Sequence, residues 1–170
     1  LAAASQEAIA RRANVTQSAV RHYFPKKEDL LDAFFVESIE RLTSLFGEEF
    51  AKVDKDPLSR LLSIASLHYE RMLNVEDVAY FEIASAWARD PNYRDFRNEW
   101  YKRTARYYFE LVREIHPDWE QERCHAAVFQ IVTLVLGGWA TMGSSRALYQ
   151  RKGRNALKAM LLDGIERLIS

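Results

Sequence analysis

The chain has 170 residues, 48% of them hydrophobic and 28% charged, with 24 basic and 24 acidic side chains and a formal net charge of zero. That composition excludes a disordered chain and supplies enough apolar residues for one sizeable core, or for a small domain joined to a larger one. The single cysteine, Cys124, excludes an intrachain disulfide framework and a multi-cysteine zinc site. No secretory leader is read ahead of the first helix, so a reducing cytoplasm is the expected compartment.

The charges are unevenly placed. Residues 1–27 hold five basic side chains (Arg11, Arg12, Arg21, Lys26, Lys27) against Glu7 alone; subtracting these from the 24 of each sign leaves 19 basic and 23 acidic in the remainder. A basic end on a mildly acidic body puts any polyanion binding at the N-terminal end. Only six Gly and four Pro punctuate long stretches of helical period, and no segment alternates strictly enough for a strand, so the fold is expected to be all-α.

Ser5 is placed to cap a first helix through Ala13, and Asn14 to end it, because Asn tolerates the left-handed conformation of a tight turn. Thr16 caps a second helix that lasts two turns, since Pro25 lacks an N–H and disfavours helix at the residue before it. A long helix from Lys27 to about Val53 carries Leu30, Leu31, Phe34, Phe35, Leu42, Leu45 and Phe46 at helical spacings. Asp56-Pro57 reads as a cap and first-turn proline for a helix to about Leu73, and further helices are expected over 75–89, 93–115, 118–142 and 155–169. Cys124 to Ser145 holds no Asp, Glu, Lys or Arg, yet His125, Gln130, Gly137, Gly138 and several hydroxyls favour a buried helix over a membrane span.

The head has the pattern of a helix-turn-helix. Val15, Val20 and Phe24 are expected inward, while Gln17, Ser18, Arg21 and His22 project outward. Those outward types suit base edges: Arg bonds guanine O6 and N7, Gln bonds adenine N6 and N7, and Ser and His add single bonds. Lys26 and Lys27 follow the proline at the start of the next helix, where free backbone N–H groups favour phosphate.

The stretch "SQEAIARRANVTQSAVRHYFPKKEDLLDAF" resembles the DNA-binding head of the TetR/AcrR family of bacterial transcriptional regulators, through Ser5, Ile9, Ala10, Ala13, Val15, Thr16, Tyr23, Phe24, Lys27, Glu28, Leu30 and Leu31. The resemblance implies a homodimer whose recognition helices enter the major groove of a double-stranded operator, and whose body binds a small-molecule effector that releases DNA. It further implies Gln17, Ser18, Ala19, Arg21 and His22 as recognition-helix contacts, with Tyr23, Lys27, Ser5 and Gln6 at phosphate. Three departures stand out. Asn14 replaces the usual turn glycine, Arg21 replaces a frequent tyrosine, and the family's first helix would lie ahead of Leu1.

The expected organisation is a helix-turn-helix head at 1–26 lacking that first helix, a connecting helix at 27–53, and a ligand-binding and dimerisation body at 54–170. Apolar stripes at Val128, Ile131, Val132, Val135, Leu136 and Trp139, and at Leu157, Leu161, Ile165 and Leu168, are expected to face a second subunit. Within the aromatic-rich middle, His68, Met72, Phe81, Trp87, Trp100, Tyr108 and Phe129 are candidates to line an apolar ligand pocket. Cys124 and His125 are adjacent and point apart on a helix, His68 and His116 have no triad or ligand spacing, and no HExxH motif occurs, so neither catalysis, metal nor cofactor is expected. Two other readings stay open: a helical small-molecule-binding protein or enzyme with a vestigial head, and a dimerisation module without a ligand.

Overall fold

In the computed structural model the described residues are 5–73, 91–142 and 153–170. They form seven helices: α1 Gln6–Ala13, α2 Gln17–Tyr23, α3 Lys27–Phe50, α4 Pro57–Leu73, α5 Pro91–Ile115, α6 Gln121–Met142 and α7 Arg154–Leu168. Among the described residues there is no strand. The helix expected over 75–89, with Phe81 and Trp87, lies outside the described residues, as do the side chains of Met72 and Trp139.

Local chemistry sets the ends. Ser5 Oγ accepts the Ala8 N–H at 3.1 Å, and Thr16 Oγ1 accepts the Ala19 N–H at 3.1 Å, so both short helices begin at a side-chain cap. Asn14 is left-handed (φ 55°, ψ 41°), with Asn14 N–H donating to Arg11 O and Val15 N–H to Ala10 O. This is the paired bonding that closes a helix on an αL residue. Asp29 Oδ2 accepts the Lys26 N–H at 2.8 Å, which caps the start of α3. At α4, Asp56 Oδ1 accepts the Ser59 N–H at 2.9 Å, with Pro57 in the first-turn position that needs no donor.

Three boundaries differ from expectation. α3 stops at Phe50 rather than Val53, because Ala51 to Lys55 close on themselves through Lys52 N–H to Glu49 O and Lys55 N–H to Lys52 O. α5 starts at Pro91 itself, again a first-turn proline. α6 starts at Gln121, since Trp119 N–H turns back to His116 O and delays the helix past Asp118.

The chain divides into two compact units, Leu1–Arg41 and Leu42–Ser170, with the division falling inside α3. In the first unit α1 packs on α2, around Ala10 and Val20. In the second, α4 packs on α5, α6 and α7, α5 on α6, and α6 on α7. Its core is three helical stripes: Leu61, Ile64, Ala65, His68 and Tyr69 on α4; Trp100, Thr104, Tyr108, Leu111 and Val112 on α5; Cys124, Ala127, Val128, Ile131 and Val135 on α6. Each large apolar member contributes about 1.5–3 kcal/mol by leaving water. α3 adds Phe46, fully buried, and α7 adds Ile165.

Polar links fix the packing at its margins. Buried Arg60 donates from Nη1 to Phe50 O at 3.0 Å and from Nη2 to Glu114, joining the end of α3 to α4 and α5. Lys158 Nζ reaches Glu70 at 2.6 Å between α7 and α4. His116 Nε2–H donates to Ile169 O at 2.6 Å, and its ring stacks on Trp119 at 3.8 Å, which in turn carries the Arg123 guanidinium at 3.7 Å. Gly138 sits where α6 meets α4 and α7: a Cβ there would stand 2.9 Å from Leu161 Cδ1 and 3.3 Å from Tyr69 Cε2.

Candidate nucleic-acid interface and buried polar pair

On the head, Ser18, Arg21, His22 and Tyr23 are exposed and Gln17 and Ala19 half-buried, with Tyr23 at 75% exposure more open than Val15, the other exposed large hydrophobic residue there. Residues 17, 18, 21 and 22 form one continuous stripe on α2, because positions three and four apart are neighbours on a helix. Arg11 and Arg12 on α1 and Lys26 ahead of α3 are exposed as well. No ion pair among the described residues engages Arg11, Arg12, Arg21 or Lys26, so these cations face solvent. Lys27 is half-buried.

Several placements differ from the sequence expectation. Gln6 Nε2 donates to Phe24 O at 2.6 Å, so one of the two N–H groups of this amide ties α1 to the end of α2. Ser5 uses its oxygen as a cap acceptor but keeps an exposed O–H that can still donate. Val15, expected inward, is 49% exposed. The start of α3 is already capped by Asp29, which takes one of the N–H groups expected to favour an anion.

In the body, His68, Trp100 and Tyr108 come together. His68 Nδ1 and the Tyr108 hydroxyl are 3.2 Å apart, and the His68 and Trp100 rings lie edge to face at 6.4 Å. Phe46, which sequence reasoning assigned to core only, closes the group with its ring 5.4 Å from His68 and 6.2 Å from Tyr108. Its helical period marks it as buried, but periodicity on α3 alone carries no information about which residue of α4 it will meet. Burial lowers the His68 pKa to about 4 and pushes the Tyr108 hydroxyl up, so both are neutral at neutral pH.

Phe129 does not join them. It lies on the outer face of α6 at 71% exposure, because the inward stripe runs through Val128 and Ile131 and leaves position 129 turned away. The expected dimer residues are corrected in the same way: Val128, Ile131, Val135 and Ile165 are buried within their own chain and are not available to a partner. Val132, Leu157, Leu161 and Leu168 are half-buried. The exposed residues of α6 are instead Gln121, Glu122 and Arg123 in its first turn, followed by His125, Ala126, Phe129, Gln130, Thr133, Leu134 and Gly137, and only this second run is without an Asp, Glu, Lys or Arg.

Two short capped helices joined by a left-handed turn, with a cationic and amide-bearing stripe on the second, form a helix-turn-helix head of the kind that serves DNA binding. The family model described as "Bacterial regulatory proteins, tetR family" matches residues 1–34. The match covers the helix-turn-helix head and the start of α3, so it is this N-terminal segment that is similar to the tetR family. No curated protein matches the chain. Among the described residues no helix is long and apolar enough to cross a membrane, and no group of three or more His, Cys, Asp and Glu side chains is placed to hold a metal ion.

Proposed function

We propose that the protein is a cytoplasmic, ligand-responsive repressor that binds a palindromic operator as a homodimer and leaves it when a small apolar or aromatic molecule enters the body. The observation that carries the reading is the solvent-facing stripe of α2, with Arg21 free of any ion pair among the described residues, inside a segment matched to the tetR family. In this reading residues 1–26 read DNA, α3 connects, and 54–170 bind effector and partner. Gln17, Ser18, Arg21 and His22 face bases, while Tyr23, Lys26, Lys27 and the Ser5 hydroxyl meet phosphate.

Two heads would occupy successive major grooves about 34–36 Å apart, so whatever sets their separation sets affinity. An effector releases DNA only if it binds the non-DNA conformer better, by a coupling on the order of 1–3 kcal/mol. A contact between subunits is supported by the outer face of α6 beyond Cys124, where Phe129 and Leu134 are exposed and no charged residue occurs, because interface cores are poor in charge and exposed apolar patches mark interaction surfaces.

Selection of bound duplexes from a randomised pool tests the operator reading. Recovery of a palindrome with half-sites about one helical turn apart supports it. No enrichment at low salt, where phosphate contacts are strongest, would sink it and leave the body as the seat of function.

A further inference from the structure

Buried polar atoms without a partner are few in folded proteins, and each asks for an explanation. One such atom in the body is His68 Nε2, in a side chain 1% exposed, with no hydrogen-bond partner among the described residues. It belongs to an aromatic group formed by Phe46, Trp100 and Tyr108.

The other ring nitrogen decides which role Nε2 plays. Tyr108 is fully buried, and its hydroxyl has His68 Nδ1 as its partner at 3.2 Å. If Nδ1–H donated to the phenolic oxygen, the Tyr108 proton and the Nε2 lone pair would both be left unpaired in the core. If Tyr108 O–H donates to Nδ1, only the Nε2–H is left over. The second arrangement strands one group instead of two, so it is the favoured one. Among the described residues no ion pair engages His68, and burial lowers its pKa, so a carboxylate placed against the ring would be a buried charge without a counter-ion.

We propose, resting on the effector reading above, that His68 Nε2–H is the hydrogen-bond donor that reads a neutral, largely aromatic effector through an oxygen acceptor of the ketone, ester or amide type. Tyr108 is a positioning residue that fixes the tautomer, and Phe46, Trp100 and Tyr108 supply the apolar walls. The ligand class is therefore uncharged and acceptor-bearing, as distinct from a bare hydrocarbon or an aromatic acid.

The test uses the full chain with 15N-labelled histidine and three probes of matched shape: 2-acetylnaphthalene, 2-ethylnaphthalene and 2-naphthoate. The His68 ring is expected as the Nε2–H tautomer, with a shift of that resonance on adding the ketone. Calorimetry should give about tenfold tighter binding of the ketone than of the hydrocarbon, as one neutral hydrogen bond provides, with the naphthoate weakest. In His68→Phe the ketone preference should vanish while the hydrocarbon still binds. An Nδ1–H tautomer, binding by none of the probes, or a preference that survives in His68→Phe would each overturn the assignment. Equal binding of ketone and hydrocarbon by the wild type would overturn it too, and would leave the effector reading standing. Release of the selected operator decides that reading separately. The tautomer is read on the unsubstituted protein and holds as evidence even if His68→Phe does not fold.

Discussion

Lowering the pH from 7 to 5 should remove about 2 kcal/mol of stability from the body through His68 alone. The ring titrates near 6.5 in an unfolded chain and at about 4 when folded, with burial the cause. Between those values the unfolded chain takes up a proton that the folded one refuses, so stability is full above about pH 6.5 and declines as the pH falls toward 4. At 1.36 kcal/mol per pKa unit the whole loss is about 3 kcal/mol, and about two-thirds of it is reached by pH 5. Urea unfolding followed by tryptophan fluorescence reports this region, since Trp87, Trp100, Trp119 and Trp139 all lie beyond residue 42. The quantity to measure is the difference between wild type and His68→Gln across pH, which cancels the carboxylates common to both. Parallel curves for the two proteins would refute the reasoning, as would a His68 resonance that titrates near 6.5 in the folded state.

Arg21→Ala should cost about 1–3 kcal/mol of operator binding and relax preference at one base, whereas Lys27→Ala should weaken all sequences alike and reduce the salt slope by about one; wild-type affinity in both would remove α2 from the reading role. Gln6→Leu removes the 2.6 Å tie to Phe24 O, and should lower head stability by about 1–3 kcal/mol, measured by hydrogen exchange at Val20 and Phe24. Gly138→Val should lower the melting temperature by overpacking against Leu161 and Tyr69, at about 1–3 kcal/mol, while Gly137→Ala, with nothing near its Cβ, should raise it by about 0.5–1 kcal/mol of helix propensity. Phe129→Glu should turn a dimer into a monomer in sedimentation without moving the monomer's core; an unchanged sedimentation coefficient would place the subunit contact elsewhere.

The head was legible because its signals are local. Ser5, Asn14, Thr16 and Pro25 each act on backbone within a few residues, and all stand where their chemistry requires. The tie from Gln6 is not legible because its partner, Phe24 O, is 18 residues away, and no local rule distinguishes an outward amide from one that reaches a neighbouring helix end. In the body, the apolar stripe of α6 was visible but its partner was not: Val128, Ile131 and Val135 read equally well as a face toward α4 or toward a second chain, and three-dimensional packing decides for the former. Phe46 beside His68 is a tertiary meeting of α3 with α4, which periodicity marks as buried without saying against what.

The charge-poor outer face of α6 and the cationic stripe of α2 should respond differently to ionic strength. Displaced counterions make a hold on phosphate fall steeply with added salt, whereas an association centred on Phe129 and Leu134, with charge only at Glu122 and Arg123 in the first turn, would have little Coulombic component to screen. In the proposed reading salt should therefore separate the two functions: a concentration that strips the protein from DNA should leave a dimer held through this face intact, so that the species returning to the operator as salt falls would be an already assembled pair rather than a monomer that must find its mate on the duplex.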